Sequence, residues 1–201
     1  MNAEIFFQQI IENAALPPPE RHARFSELHH QITTDYLAAL HALDAQRAAQ
    51  PVQSGAEVRS VAQVVGHIME WERFMILSAG DMLAGLRQPR MVTNIEGYVE
   101  PEGQTPRFEN IEAFNTYQAN KHSAWAWEKI QSSAIDTAST LHTLFTQPGL
   151  LTAERLENTQ PFRKRLPNGA VIQNIAMGWN LWVTCLEHEG VEHARDLGMS
   201  H

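Results

Sequence analysis

Apolar residues recur at three- and four-residue steps along nearly the whole chain, the period of helices buried on one face. A short amphipathic segment covers residues 3–14, and a long one covers 20–48 on Phe25, Leu28, Ile32, Tyr36, Leu40 and Leu43. The next spans 58–86, with Val61, Val64, Val65, Ile68, Trp71, Met75, Ala79, Met82 and Leu83 on its stripe. A third long segment starts after Asn110, a suitable N-cap, and runs on Ile111, Phe114, Tyr117, Trp125, Ile130, Ala134, Leu141 and Leu144 until Pro148 stops it. The last follows Asn168-Gly169 and continues to about residue 197 on Ile172, Ile175, Trp179, Trp182, Val183 and Leu186, with Gly198 as its C-cap. Four long helices with apolar stripes satisfy one another most simply as an all-α four-helix bundle. The short N-terminal helix is an addition to it.

Residues 90–107 interrupt this pattern. Gly97, Pro101, Gly103 and Pro106 deny the segment a helix, while Ile95, Tyr98 and Val99 give it something to bury. It is expected to run as an extended connection between helices two and three, packed against the bundle. No repeat or low-complexity tract divides the chain, and its 201 residues suit a single domain, 1–201.

Composition narrows the function. Charged residues make up 19% of the chain and apolar ones 43%, ordinary values for a packed protein. A formal net charge of −8 argues against nucleic acid as a partner, because phosphate binding needs a basic surface. Arg163-Lys164-Arg165 is the one local basic run, and it reads as a solvated turn. A lone Cys185 excludes an intrachain disulfide. The start, Met1-Asn2-Ala3-Glu4-Ile5-Phe6-Phe7, lacks the basic and long apolar regions of a secretory signal, and no stretch reaches membrane-span length. The expected location is the cytoplasm, with no membrane partner.

Ten histidines leave two that matter. His67 lies at the edge of the second helix's stripe, one turn before Trp71; its plainer reading is a hydrogen-bonded core histidine. On the last helix His193 projects at the centre of the stripe, and Glu189 one turn earlier at its edge. His188 projects to the opposite side, toward solvent, where it pairs with Glu192. An inward carboxylate and two inward histidines from two helices form a divalent-metal set with open positions. The competing reading is a neutral His–Glu hydrogen bond in the core.

At these residues the chain resembles the DinB-like (damage-inducible, YfiT-type) family of four-helix-bundle metalloproteins. The likeness is carried by Val64-Val65-Gly66-His67-Ile68-Met69-Glu70-Trp71-Glu72-Arg73, by Gly190-Val191-Glu192-His193-Ala194-Arg195-Asp196-Leu197, and by the helix order with its long connection. The resemblance implies a divalent ion, zinc or nickel, held by one histidine on helix two and a His-x-x-x-His pair on helix four. His67 and His193 match; four residues before His193 stands Glu189, and His188 is displaced by one. Either Glu189 is the third ligand, the choice that needs no distortion, or a π-bulge eased by Gly190 turns His188 inward. A bundle that has lost its metal is a third outcome.

The implied activity is that of a metal-dependent enzyme acting on a small molecule by hydrolysis or thiol-linked transfer. The competing function is a non-catalytic bundle serving stress response or partner binding. Glu70 and Glu72 are candidate bases, with solvated helix charges as the plainer reading. The resemblance also implies a homodimer, for which Trp125 and Trp127 supply a face if they are not spent on the core.

Overall fold

The computed structural model describes residues 3–54, 57–90 and 97–199. Its elements in order are α1 (Ala3–Ala14), α2 (Pro18–Ala42), α3 (Ala45–Ala48), the hairpin β1 (Pro51–Ser54) and β2 (Glu57–Ser60), and α4 (Val61–Leu83). There follow α5 (Ile111–Lys121), α6 (Trp127–Thr146), α7 (Ala153–Glu157), a second hairpin of β3 (Pro161–Arg165) and β4 (Val171–Ala176), and α8 (Met177–Glu187). A π-helical turn, His188–Glu192, continues α8. The fold is mainly helical, with α2, α4, α6 and α8 as the bundle and α1 laid against it through Phe6, Phe7 and Ile10.

The helices begin where local chemistry directs. Ser60 and Gln63 form a reciprocal capping box at the start of α4, and Asn110 caps α5 through the amide of Ala113. One end of the bundle is packed by Phe25, Phe145, Trp179 and Trp182, all almost wholly buried. The other is packed by Tyr36, Leu40, Val64, Ile68, Ala134 and Ala138. Trp127 belongs to this second group and donates its indole N–H to the Leu43 carbonyl at 3.2 Å, so its bulk is spent inside.

Two expected helices are shorter than their stripes. The segment after Asn110 breaks between α5 and α6, because Lys121 and His122 are drawn to Glu70 on α4. Both halves still face the bundle, so the apolar spacing carries across the break. The last helix starts at Met177 rather than near 169, since Val171–Ala176 is a strand. Its register against β3 slips by one residue between Phe162 and Lys164, and Asn174 adopts φ 54°. That bulge lets Ile172 and Ile175, three apart in the sequence, both pack on the core, which imitates a helical step.

The described part of the connection is fastened to the bundle. Arg90 holds Asp81 through Nε at 2.7 Å and Nη2 at 2.8 Å, and donates Nη1 to the Gly97 carbonyl at 3.0 Å. Tyr98 is buried and donates its hydroxyl to Glu70; Glu100 accepts from Tyr117 and Lys121. Burial would raise the Glu70 carboxyl, but bonds from His122, Arg73, Tyr98 and Lys121 outweigh it and hold the group at about 2. Ile95, expected to help anchor the segment, lies outside the described residues. No helix among the described residues is long and apolar enough to cross a membrane.

Candidate metal centre

Two helices are set rigidly before they deliver histidines. The capping box fixes the start of α4, and His67 follows within two turns, 4% exposed. At the start of α8 a Cβ on Gly178 would stand 2.9 Å from the Cα and carbonyl oxygen of Leu156, so only glycine lets the helix lie this close to α7. The Gly178 amide donates to Thr159 Oγ1 at 2.7 Å. Trp179 and Trp182 stack nearly parallel; Trp179 donates to Glu157 at 2.6 Å and Trp182 to His29 Nδ1 at 3.1 Å.

After Glu187 the helix widens. In a regular α-helix residues five apart point about 140° away from each other, whereas an i→i+5 turn brings them to one side. His188 and His193 are five apart, and the π-helical turn places their ring centroids 4.9 Å apart. The His67 ring stands 5.1 Å from His188 and 5.2 Å from His193. One donor nitrogen from each of the three lies within 4.8 Å of the others, the one such group of three or more His, Cys, Asp or Glu among the described residues. Gly190 lets the widened turn approach α2, since a Cβ there would meet Ile32 side-chain carbons at 3.0–3.1 Å.

The expected inward pair of Glu189 and His193 is therefore not the pair found. His188, expected in solvent, is 14% exposed and turned to His67, and it also stands 3.7 Å from Glu192. Glu189 is 1% exposed and lies against Glu72 and Thr33 instead. The extra residue in the turn exchanges the two side chains. Glu70 and Glu72, read as solvated charges, are both buried.

The nitrogens are disposed as ligands. His67 Nε2 and His188 Nε2 are 3.3 Å apart. Two nitrogens each about 2.0–2.1 Å from one tetrahedral ion stand about 3.3–3.4 Å apart. His193 Nδ1 is 3.1 Å from Asp196 Oδ2, which leaves its Nε2 for a metal and supplies the carboxylate that commonly orients a ligating imidazole. Gln118, fully buried on α5, adjoins His67 with its amide otherwise unengaged. Burial, helped by His193 and Arg59, pushes His67 down to about 3; burial likewise lowers His188. Both are neutral at ordinary pH, with lone pairs available.

The three rings line a cavity of about 620 Å³. Trp71, Met75, Ile111 and Leu141 give it apolar walls, and the two hairpins bring cations to it. Arg59 of β2 is held by Glu57 at 2.8 Å; Lys164 of β3 is held by Glu187 and Thr184, each at 3.1 Å. Lys164 is thus a strand residue lining the cavity, not part of a solvated turn. Cys185 also lines it, but burial and the nearby Glu189 and Glu72 raise its thiol well above the usual range. Asp196, Gln118, Arg59 and Lys164 had no signal in the sequence beyond the Asp196 spacing, three residues after His193.

A scan against models of protein families finds no match, and a search of curated proteins finds none. Among solved structures, the chain is similar to the crystal structure of a mycothiol-dependent maleylpyruvate isomerase in which one histidine is mutated to alanine. The TM-score is 0.55 at 14% sequence identity, and the match covers 92% of this chain and 62% of that one. The chain thus spans less than two thirds of that protein's length, and the likeness is one of fold.

Proposed function

We propose that this chain is a divalent-metal-dependent enzyme of the DinB-like type that acts on a small molecule by thiol-linked transfer. The observation that carries the reading is the convergence of three imidazoles on one point at the cavity, two of them with Nε2 atoms 3.3 Å apart. Three nitrogen donors suit zinc first and nickel second. Such an ion with an open position lowers the pKa of a bound thiol or water toward neutrality.

The residues of the chain divide the remaining work. His67, His188 and His193 would be the ligands, and Asp196 would fix which His193 nitrogen faces the ion. Trp71, donating its indole N–H to Asn115 at 3.2 Å, forms a rigid apolar wall that excludes water with Met75 and Leu141. Cys185 is a poor nucleophile, because its thiol is held protonated. The reacting thiol therefore comes from a second small molecule, as in the mycothiol-dependent isomerase of similar fold. A homodimer follows from the DinB-like resemblance, and sedimentation of the purified chain checks it; a cytoplasmic location is proposed from the lone cysteine.

Elemental analysis of protein purified without added metal tests the site, and consumption of low-molecular-weight thiols against an aryl halide tests the activity. His193→Ala and His188→Ala should lose the ion, while Glu189→Gln should keep it. The reverse result for His188 and Glu189 would return the third place to Glu189. Thiol consumption no faster than in the His193→Ala variant sinks the transferase reading; ester cleavage without thiol would favour hydrolysis.

A further inference from the structure

Beside the histidines, the cavity floor holds a second polar cluster that the centre does not use. Glu72 of α4 and Glu189 of the π-helical turn lie against each other, 3% and 1% exposed. None of their four carboxylate oxygens has a donor at hydrogen-bond geometry. Among the described residues no lysine or arginine forms an ion pair with either. Two hydroxyls from α2 share the site: Thr33, which adjoins the Glu189 carboxyl, and Tyr36, whose phenol feels both carboxyls. Thr33 is 4% exposed and Tyr36 fully buried, and neither oxygen has a partner outside this group.

Buried polar atoms are normally satisfied, and exceptions mark a missing partner. Two buried carboxyls that face each other call for a partner between them, a shared proton or a cation. The two carboxyls line one cavity, Thr33 adjoins Glu189, and Tyr36 lies within electrostatic reach of both. Arg73, the cation that acts on Glu72, is bonded to Glu70 instead. Oxygen donors of this kind suit hard cations and differ from the imidazole set next door. We propose that Glu72, Glu189, Thr33 and Tyr36 form a second cation site, for a hard divalent ion of the manganese, magnesium and calcium class, adjoining the histidine centre.

The site does not depend on the histidines, which makes the two readings separable. Chelator-stripped protein, given an equivalent of zinc, is titrated with Mn²⁺ and the free ion is read by electron paramagnetic resonance. A single Mn²⁺ should bind per chain. Glu72→Gln and Glu189→Gln should weaken it by more than the roughly 100-fold that loss of an outer-shell partner costs. Tyr36→Phe, which keeps both charges and the packing, should weaken it about tenfold. His193→Ala, titrated without zinc, should still bind it. No uptake by the parent, or uptake that Glu72→Gln leaves unchanged, overturns the proposal, and the pair then holds protons instead. Loss of Mn²⁺ in His193→Ala also overturns it, because the ion was then in the histidine centre. Mn²⁺ uptake by a protein that takes no zinc would leave this site standing and remove the other.

Discussion

Replacing Gly190 by alanine tests whether the widened turn is what turns His188 inward. The added methyl would stand 3.0 Å from Ile32 Cδ1 and Cγ2 and 3.1 Å from Cγ1. Ile32 is β-branched, 2% exposed and packed among Phe25, Leu28 and Leu186, so it has little room to give. Overpacking of this kind costs about 1–3 kcal/mol, while alanine in place of glycine in a helix recovers about 1 kcal/mol. The net expectation is a loss of about 1 kcal/mol, roughly a fivefold fall in the folding constant. Relief is available by expelling the extra residue, which restores a regular helix and withdraws His188 from His67. Zinc affinity should therefore fall along with stability. Urea unfolding followed by tryptophan fluorescence in chelator gives the first quantity, and competition with a chromophoric chelator gives the second. Ile32→Ala alone should destabilise by about 2–5 kcal/mol, and Gly190→Ala added to it should no longer cost anything. A Gly190→Ala protein that is more stable than the parent and binds zinc equally well would refute the reasoning.

Asp196→Asn should weaken zinc binding about 10- to 100-fold while leaving the fold intact, measured by the same competition; an unchanged affinity would remove Asp196 from the site. His29 is fully buried, and burial followed by the nearby His142 lowers it to about 3. Its folded pKa lies below the unfolded value of 6.5, so stability is lost as pH falls from 6.5 toward 3. His29→Gln should flatten the stability curve between pH 6 and 4 by about 1.4 kcal/mol per pH unit, read from urea titrations; an unaltered slope contradicts it. Glu70→Gln should cost about 3 kcal/mol, because it strips the charge on which Arg73, Lys121, His122 and Tyr98 converge. A loss below about 1 kcal/mol would mean that this network does not hold the connection.

The bundle was legible because its signal is repeated: each long helix states its buried face several times over, and Ser60 and Asn110 mark two of the starts. Strand β4 was not, since one bulged residue at Asn174 gives Ile172 and Ile175 a helical interval. The break before Trp127 left no glycine or proline, only the pull of Glu70 on Lys121 and His122 from another helix. His67 and His193 stood out by projection onto apolar stripes. The exchange of Glu189 for His188 stood only as the alternative of a π-bulge at Gly190, because a projection assumes a constant turn and the approach of Gly190 to Ile32 is a tertiary contact. Glu70 and Glu72 show the same limit: nothing local says that the connection will fold over one and the π-helical turn over the other.

If the chain is the enzyme proposed, the two hairpins divide reactivity from choice. The histidines stand on helices locked into the core by stacked tryptophans and a capping box, where most substitutions are costly. Arg59 and Lys164 stand on two-stranded hairpins closed by local pairing, one of them carrying Val58 in open solvent. Arg59 and Lys164 line the cavity, whereas Ser60, Leu166, Ile175 and Ala176 of the same segments serve the cap of α4 and the core. Only the cavity-facing strand positions are free to change the charge of the mouth. On the proposed function, a change at Arg59 or Lys164 would alter which molecule enters and leave the three imidazoles where they are. Arg59→Gln and Lys164→Gln should differ from the parent in preferred substrate and share its metal affinity.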